Sequence, residues 1–398
     1  MSQKLEQIAQ HLHDADKKVQ LIYGFNGAGK TRLSQALKEL VAPQAEDGDE
    51  AELSREKILY YNAFTEDLFY WDNDLLSDGE PKLMIQPNTF TDWILVDQGQ
   101  ETNITRNFQR YVNDKLTPTF NEEYTVQTQD ELGQDREVVV RAFSEVTFSI
   151  EAGGDEETGN FKISKGEESN FVWSIFYTLL EEVISVLNIA EVGDRPTDQF
   201  NRLQYVFVDD PVSSLDENHL IELAVNLADL IKAAPQELKF VVTTHSPLFY
   251  NLLHNKLGLN EKSKNDGCYL LERLDDGTFN LNVKYGGANK SFSYHLHLKD
   301  VLEKAIASNA VERFHFTLIR NLYEKTAGFL GYKQWSDLLD TVEGSKNAYV
   351  KAINTFTHSA LSSEQAPHPS LAEKNIVKLL LENLLNNYAY WQEGENNG

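Results

Sequence analysis

The residues with the clearest chemistry form a glycine-rich run that ends in lysine and threonine, Gly24-Phe25-Asn26-Gly27-Ala28-Gly29-Lys30-Thr31. An apolar stretch, residues 19–23, precedes the run, and a helix-like stretch, residues 32–37, follows it. A strand–loop–helix unit of this kind presents backbone N–H groups to an anion, and the glycines let the backbone wrap a phosphate. Lys30 is therefore predicted to reach the β- and γ-phosphates of a nucleoside triphosphate, and Thr31 to bind Mg²⁺. The predicted nucleotide contacts are Asn26, Gly27, Ala28, Gly29, Lys30, Thr31 and Arg32.

Two carboxylates, Asp209 and Asp210, follow a second apolar stretch. Asp209 is predicted to orient Mg²⁺, and Asp210 to polarise the water that attacks the γ-phosphate. A third apolar stretch, residues 240–244, ends at His245, and an S-S-L-D loop ends at Asp216. This order of motifs resembles the ABC ATPases. The resemblance implies that His245 senses the γ-phosphate and that Asp216 touches a partner subunit.

ABC ATPases also need a signature loop, and residues 164–169, S-K-G-E-E-S, open a strongly apolar helix upstream of the acidic pair. In the ABC arrangement Ser164, Gly166 and Glu167 would belong to the loop that caps the γ-phosphate bound by another protomer. That arrangement predicts a head-to-tail dimer that encloses two nucleotides. The alternative is an ordinary helix start, in which Ser164 is the N-cap and Glu167 completes a capping box.

Two departures from the ABC pattern affect the expected rate. The signature loop lacks the double glycine of transporters, and Asp210 is shorter than the usual glutamate. A shorter base lies farther from its water, so we expect slow turnover, more like a switch than a motor. Gln86, Gln98 and Gln100 all compete for the glutamine-loop position.

Composition limits the class of protein. The formal net charge is −26 over 398 residues, but residues 281–398 hold 12 Lys/Arg and 12 Asp/Glu, so the whole excess lies in residues 1–280. The locally basic stretch 284–333 is compatible with RNA docking, although a solvated helix face is the plainer explanation. A single cysteine, Cys268, excludes a disulfide framework. No run approaches the ~20 apolar residues of a membrane helix, so a soluble, cytoplasmic protein is expected.

The predicted fold class is α/β. Residues 1–264 are predicted to form an ABC-type P-loop NTPase domain with an antiparallel β layer, built from the short β-type runs within residues 124–161. A polar stretch, residues 260–267, is the predicted domain edge. Residues 265–398 are predicted to form a second domain with two short strands and then mostly helices, over residues 291–307, 311–329 and 372–388.

Three residues of the second domain could do acid–base or phosphate chemistry. Arg320 and Glu324 are four residues apart and so share a helix face, which for most such pairs is only a surface ion pair. His358 is, by itself, more often a surface or capping residue than a catalyst. His295 and His297 could form a zinc pair on alternating strand positions, but no further Cys or His at ligand spacing supports this.

Longer stretches change these odds, namely residues 57–71, 164–170, 209–217 and 289–299. They carry a resemblance, over essentially the whole chain, to the PrrC family of bacterial tRNA anticodon nucleases, which join an ABC-type ATPase to a C-terminal ribonuclease. The resemblance implies that Arg320, Glu324 and His358 are catalytic and that residues 265–398 form the ribonuclease domain. It implies cleavage of tRNA(Lys) at the wobble position, in which a ribose 2′-OH attacks the adjacent phosphate without metal.

The resemblance also implies how the protein recognises RNA and how its activity is regulated. It implies that ATP or GTP, with Mg²⁺, and dTTP as a further regulatory nucleotide bind the ATPase. It implies a type I restriction–modification complex and a phage-encoded inhibitor of restriction as partners, and an antiphage role. Residue 287 is a glycine where an acidic group is expected, which puts discrimination among wobble modifications in doubt. The predicted RNA contacts are Lys284, Gly287, Asn289, Lys290, Ser291, Tyr294, His295, His297 and Lys299.

A DNA-associated ABC ATPase without nuclease activity is the alternative function. It needs a long coiled-coil insertion between Thr31 and Ser164. That interval has mixed β and loop character without sustained heptads, which disfavours the alternative.

Overall fold

The computed structural model describes residues 3–43, 57–62, 65, 67–72, 81–88, 91–129, 135–151, 157–158, 160–212, 215–259, 267–274, 276–284, 294–358 and 369–388. The chain divides into two compact units, Met1–Ser291 and Phe292–Gly398. These are the first unit and the second unit.

A six-stranded sheet is the centre of the first unit, with the strand order β13-β12-β1-β11-β10-β2. All but the β12–β13 pair are parallel, and β1, β10 and β11 are buried along almost their whole length. Burial of both faces explains why these strands appear in the sequence as continuous apolar runs. The strands are β1 (Val19–Gly24), β2 (Ile58–Tyr61), β10 (Tyr205–Asp209), β11 (Lys239–Thr244), β12 (Cys268–Arg273) and β13 (Phe279–Val283).

The register of this sheet positions the chemistry. Tyr23 of β1 pairs with Thr244 of β11, and Thr243 of β11 pairs with Asp209 of β10. The carboxyl ends of three neighbouring parallel strands therefore lie at one edge, which is where α/β sheets bind ligands. The glycine-rich loop, the acidic pair and His245 each follow one of these strands.

Five helices of the first unit precede or follow the strands of this sheet along the chain. They are α1 (Leu5–Asp14), α2 (Lys30–Val41), α4 (Lys165–Leu187), α5 (Glu217–Ala233) and α6 (Pro247–Lys256). Among the described residues, α4 is the one helix long and apolar enough to cross a membrane, but 78% of its most apolar window is buried inside the protein. Its apolar surface is therefore that of a core helix.

The predicted antiparallel β layer is present. Strands β3 (Phe69–Asp72), β4 (Lys82–Ile85), β8 (Glu145–Glu151) and β5 (Leu116–Phe120) form one sheet in that order, and β9 (Glu157–Thr158) pairs with β8. Strands β6 (Tyr124–Gln129) and β7 (Asp135–Val140) form a separate hairpin. The layer packs on α4 through Phe148 and Phe171, whose ring centroids are 5.2 Å apart. Helix α3 (Glu101–Tyr111) and a π-helix, Asp92–Asp97, complete this region.

The second unit is helical, as predicted. It contains α7 (Tyr294–Ala307), α8 (Arg313–Leu330), α9 (Lys346–His358), α10 (Leu371–Asn387) and a 3₁₀ helix, Trp335–Thr341. Its own core includes Leu302, Phe316, Ile319, Leu338 and Leu380, each fully or almost fully buried. A separate core is what an independent domain requires.

The boundary predicted at 264/265 needs correction, because the units divide after Ser291. Strand β12 pairs with β1 at the centre of the first unit, and β13 pairs with β12, so both belong to the nucleotide-binding sheet. The alternating strand suggested for His295 and His297 is also wrong, because both lie in α7. A zinc pair at strand spacing is thereby excluded.

Candidate functional site

The glycine-rich loop has the backbone that a phosphate cradle needs. Gly27 and Gly29 adopt left-handed φ values of 81° and 94°, which favour glycine. Gly29 is the N-cap of α2, so the first N–H groups of that helix face the loop. A Cβ at Gly29 would lie 2.7 Å from the ring of Phe279, which leaves no space for a side chain.

Lys30 is buried under this loop, with 7% of its surface exposed. Its ammonium donates to the carbonyl oxygens of Gly24 at 3.0 Å and Phe25 at 3.3 Å, and lies 3.4 Å from Oδ2 of Asp210. These contacts fix the cation at the edge of the sheet, where it would meet a phosphate chain. Asn26 is exposed at the tip of the loop and Ala28 is buried below it. The guanidinium of Arg32 lies over the ring of Phe279, 5.6 Å from its centroid.

Asp209 lies where the sequence predicts a magnesium ligand. It accepts hydrogen bonds from the hydroxyls of Thr31, at 2.5 Å, and of Thr243. Burial raises the pKa of Asp209, because the charged form loses solvent, and the two hydroxyls oppose that effect only in part. A hydroxyl and a carboxylate beside a helix N-terminus are oxygen ligands of the kind that Mg²⁺ takes together with nucleotide phosphates. The residues therefore fit the metal.

Asp210 and His245 form a close pair at the same edge. Nδ1 of His245 lies 2.6 Å from Oδ2 of Asp210, and the His245 backbone N–H donates to Oδ1 at 3.2 Å. Burial alone would raise the pKa of Asp210, but the His245 hydrogen bonds and the Lys30 charge hold it below its usual value. Asp210 has a left-handed φ of 51°, an uncommon conformation for a non-glycine residue that is frequent at functional sites. The pair can hold a proton next to the position of a γ-phosphate.

The signature loop forms the capping box that the sequence offered as an alternative. The Glu167 N–H donates to Oγ of Ser164 at 3.3 Å, and the Ser164 N–H donates to Oε2 of Glu167 at 2.7 Å. Ser164 is exposed at the start of α4, and Gly166 lies in the first turn. The cap does not exclude the signature role, because an exposed hydroxyl at a helix N-terminus also suits a phosphate from a second chain.

Asp216 is the N-cap of α5. Its carboxylate accepts from the N–H groups of Asn218 at 3.0 Å and His219 at 3.1 Å. The side chain is 62% exposed, and its Oδ2 lies 2.7 Å from Nδ1 of His219. The contact of Asp216 with a partner subunit stays a prediction. Serines 213 and 214 of the same loop lie outside the described residues. Gln86 directly follows β4, Gln98 directly follows the π-helix, and Gln100 directly precedes α3. All three remain candidates for the glutamine-loop position.

Arg320 and Glu324 contact each other on α8 of the second unit. Nε of Arg320 donates to Oε1 of Glu324 at 2.8 Å, and Nη1 lies 3.4 Å from Oδ1 of Asn354 on α9. The guanidinium also lies over the Trp335 ring, 5.8 Å from its centroid. The side chains of Arg320 and Glu324 are 23% and 40% exposed. Glu324, Asn354 and Trp335 thus contact the arginine, while the pair stays partly open to solvent.

Known proteins resemble this chain over nearly its full length. The AAA domain family matches residues 152–381. An anticodon nuclease from Escherichia coli is 58% identical over 391 residues, which cover 96% of this chain and 92% of that protein. The chain belongs to the anticodon nuclease family.

Solved structures of SMC head domains are more distant. The SMC head domain from Thermotoga maritima is 13% identical and covers 67% of this chain and 90% of its own, with a TM-score of 0.30. The SmcHead bound to the C-winged helix domain of ScpA is 12% identical and covers 67% and 89%, with a TM-score of 0.31. Likeness at this level carries no argument about function.

Within this family member, the other predicted nuclease residues are described only in part. His358 is the last residue of α9, four residues after Asn354, and its side chain lies outside the described residues. Residues 285–293, with Gly287, Asn289, Lys290 and Ser291, also lie outside them. Tyr294, His295 and His297 are placed in the first turn of α7 by the backbone alone.

Two lysines of the predicted RNA contacts are described. Lys284 follows β13, is half-buried, and its N–H donates to the Cys268 carbonyl at 2.8 Å. Lys299 is 7% exposed and its ammonium donates to Oε2 of Glu303 at 3.0 Å. The structure thus presents Lys299 as a packed, paired residue of α7, since the i, i+4 spacing brings the two side chains together. It is not an open phosphate contact.

Four residues that contact the two sites are not among the site residues predicted from the sequence. Thr243 holds Asp209, and Phe279 closes on Gly29, whereas Asn354 and Trp335 hold Arg320. For Thr243 the Thr243-Thr244-His245 run is a signal in the sequence, because a threonine at the end of a neighbouring strand can donate its hydroxyl to the carboxylate of Asp209. The other three contacts depend on tertiary packing, which leaves no local pattern.

Proposed function

We propose that this chain is a nucleotide-regulated endoribonuclease that cleaves tRNA(Lys) in its anticodon, at the wobble position. The observation that carries the proposal is the pair of Arg320 and Glu324, held open to solvent on α8, in a chain 58% identical to an anticodon nuclease. Asn354 and Trp335 also contact the arginine, so its guanidinium is positioned by more than the ion pair.

The proposed reaction is an internal transesterification that needs no metal. A base removes the proton of the ribose 2′-OH, the 2′ oxygen attacks the adjacent phosphorus, and the bond from phosphorus to the 5′ oxygen breaks as an acid protonates that oxygen. The products are a 2′,3′-cyclic phosphate and a 5′-OH end. Glu324 and His358 are the proposed acid–base pair, in an order left open.

Arg320 is the proposed stabiliser of the phosphorane. It stays protonated at working pH, so it cannot act as the base, and its planar fork of donors suits the equatorial oxygens. The contacts with Glu324 and Asn354 support this role, because a guanidinium fixed before the reaction needs no reorganisation during it. His358 is the last residue of α9, four residues after Asn354, which is the spacing of one helical turn.

The ATPase part is proposed to be a slow switch. Two chains would bind head to tail, with Ser164 and Gly166 of one facing the nucleotide held by Lys30 of the other. Magnesium bound by Thr31 and Asp209 would supply charge to the β- and γ-phosphates. ATP or GTP is the proposed substrate and dTTP a further regulatory nucleotide. The exposed Ser164 and Asp216 support the dimer, because both would face the partner.

The proposed setting is antiphage defence in the cytoplasm. A type I restriction–modification complex would hold the enzyme silent, and a phage-encoded inhibitor of restriction would release it. The RNA contact is proposed to be residues 284–297, including Lys284, Lys290 and Tyr294, in which lysines would meet phosphates and the tyrosine would stack on an unpaired base.

Sequencing of tRNA 5′-OH ends tests the proposal. Wild type, Glu324→Ala and His358→Ala would be expressed side by side, with Glu382→Ala as a control in an exposed i, i+4 pair on α10. We expect ends at the tRNA(Lys) wobble position with wild type and the control, and none with the other two. Equal cleavage by the Glu324 and His358 variants would place the active site elsewhere.

A further inference from the structure

A cleft of about 450 Å³ lies directly beside the Arg320–Glu324 pair, within the second unit. Glu324 forms part of its wall, and the end of α8 and the residues before the 3₁₀ helix form the rest. We call it the Trp335 cleft. Its volume lies in the range of sites that bind small molecules, roughly 300–1,000 Å³. The residues that matter here are Glu324, Gly328, Tyr332, Lys333, Gln334 and Trp335.

The cleft exists because the chain reverses sharply at the end of α8. Gly331 adopts a left-handed φ of 80°, and the Tyr332 N–H donates back to the Ala327 carbonyl at 2.9 Å. This helix ending returns the next residues over the last turn of α8. Gly328 lies in that last turn, and a Cβ built on it meets nothing within 4 Å. The floor of the cleft is therefore open where any other residue would partly fill it.

The walls have the chemistry of a nucleobase site. Tyr332 is 45% exposed, and Trp335 is half-buried with its ring 6.3 Å from that of Tyr323. Aromatic faces of this kind stack with bases of any identity. Lys333 adds a positive charge for a phosphate, and the amide of Gln334 can read a base edge. Arg320 lies over the Trp335 ring, so a wall residue of the cleft contacts the proposed reaction centre.

We propose that the Trp335 cleft binds the unpaired base of a nucleotide adjacent to the scissile phosphate, so that its aromatic side chains position the RNA for cleavage. This inference rests on the proposed function. One occupant is favoured because Glu324 belongs both to the cleft wall and to the proposed acid–base pair. A base stacked there would hold its own phosphate or the next one at Arg320.

Fluorescence of a base analogue tests the proposal on the full chain. The probe is an RNA hairpin with the tRNA(Lys) anticodon stem-loop. It is 2′-O-methylated at the nucleotide on the 5′ side of the scissile phosphate, whose 2′-OH would attack, so that it is not cut. It carries 2-aminopurine at one loop position at a time, and stacking quenches this base. We expect strong quenching at a position next to the scissile phosphate when wild-type protein binds.

Two variants separate the cleft from the fold. Tyr332→Ala removes an exposed ring, and Gly328→Leu fills the floor at a helical position with free space. Both should lose the quenching and bind the hairpin about 10- to 100-fold more weakly. Phe329→Ala is the matched control, because Phe329 is 91% exposed beside Gly328 and is not among the residues that line the cleft. It should behave as wild type.

The outcomes distinguish this inference from the function on which it rests. If wild type cuts the unmethylated hairpin while both cleft variants quench, bind and cut as wild type does, the cleft proposal is wrong and the function stands. If wild type binds the unmethylated hairpin but does not cut it, the proposed function fails, whatever the fluorescence shows. Loss of quenching with Phe329→Ala as well would overturn the assignment to this cleft.

Discussion

Lys30 and Asp210 form a buried ion pair, with Nζ of the lysine 3.4 Å from Oδ2 of the aspartate. The side chains are 8% and 16% exposed, so solvent screens the attraction only weakly. The proposed phosphate-binding cation and the proposed base for water are thus each other's partners. A bound γ-phosphate would compete with Asp210 for Lys30 and leave the aspartate paired with His245.

We predict that Asp210→Asn separates nucleotide binding from hydrolysis. The amide removes the negative charge beside Lys30, so the lysine attracts phosphate more strongly, while the water loses its base. Nucleotide affinity should stay equal or rise, and phosphate release should fall about 10²- to 10⁴-fold. Equilibrium binding and a phosphate-release assay measure the two effects. Asp229→Asn, which breaks an exposed pair with Lys256, is the control. Unchanged phosphate release from the Asp210 variant would show that Asp210 is not the base that activates the water.

The two left-handed glycines of the loop should differ in their tolerance of alanine. At Gly27 the cost is backbone strain alone, about 1–2 kcal/mol, because a Cβ there meets nothing within 4 Å. At Gly29 the same strain adds to a Cβ only 2.7 Å from the Phe279 ring. Gly29→Ala should therefore lower Tm more than Gly27→Ala, and Phe279→Leu should restore part of the loss. Thermal unfolding without nucleotide measures this, and equal Tm values for the two alanine variants would contradict the contact.

Ser164 variants should separate helix capping from assembly. Ser164→Ala removes the N-cap oxygen and should cost about 1 kcal/mol, whereas Ser164→Asp keeps an acceptor that is among the best at this position. If Ser164 also faces the γ-phosphate of a partner, the aspartate repels that phosphate. We expect Ser164→Asp to keep the wild-type Tm but to lose triphosphate-dependent dimerisation, measured by light scattering. A dimer that forms as in wild type would leave Ser164 as a cap and nothing more.

The parts of the fold that could be predicted are those with local chemistry. Strands β1, β10 and β11 are apolar runs that end in charged or glycine-rich motifs, so the sequence predicts the α/β P-loop fold. The pairing of β12 with β1 does not follow from the sequence, because a strand carries no local record of its partner in a distant part of the chain. The sequence therefore predicts a boundary before Cys268, whereas the units divide after Ser291.

The sites show the same limit. The spacing of Arg320 and Glu324 predicted a contact within one helix turn, and the 2.8 Å hydrogen bond is that contact. Asn354 and Trp335 reach the arginine from other elements, and α9 itself was not predicted. Its sequence is rich in Asn, Thr and other weak helix formers, so packing against α8 rather than propensity stabilises it.

Arg320→Lys should be costly for cleavage and nearly neutral for stability. Lysine keeps the charge but loses the planar fork that contacts Glu324 and Asn354, so positioning of the phosphorane is lost. The cleavage rate should fall at least about 10²-fold. The partly exposed ion pair contributes only a few tenths of a kcal/mol, so Tm should move little. Rates from 5′-OH ends, with thermal unfolding beside them, check both effects. A wild-type rate would show that charge alone suffices.

His315 should make the second unit less stable at mildly acidic pH. It is 5% exposed, and the Glu312 N–H donates to its Nδ1 at 2.9 Å. Burial lowers the pKa of His315 below the unfolded value of about 6.5, and Glu312 opposes this only in part. As pH falls below about 6.5 the unfolded state takes up a proton before the folded state does. The free energy of unfolding therefore decreases until the folded pKa is passed.

The matched variant is His315→Gln, because glutamine at this position of a capping box can still accept from the Glu312 N–H but does not titrate. Hydrogen exchange of α8 amides, corrected for intrinsic rates, should show protection falling between pH 7.5 and 5.5 in wild type. The fall should be smaller in the variant. Equal falls in both proteins would assign the acid sensitivity to other groups, since the remaining carboxylates titrate alike in the two.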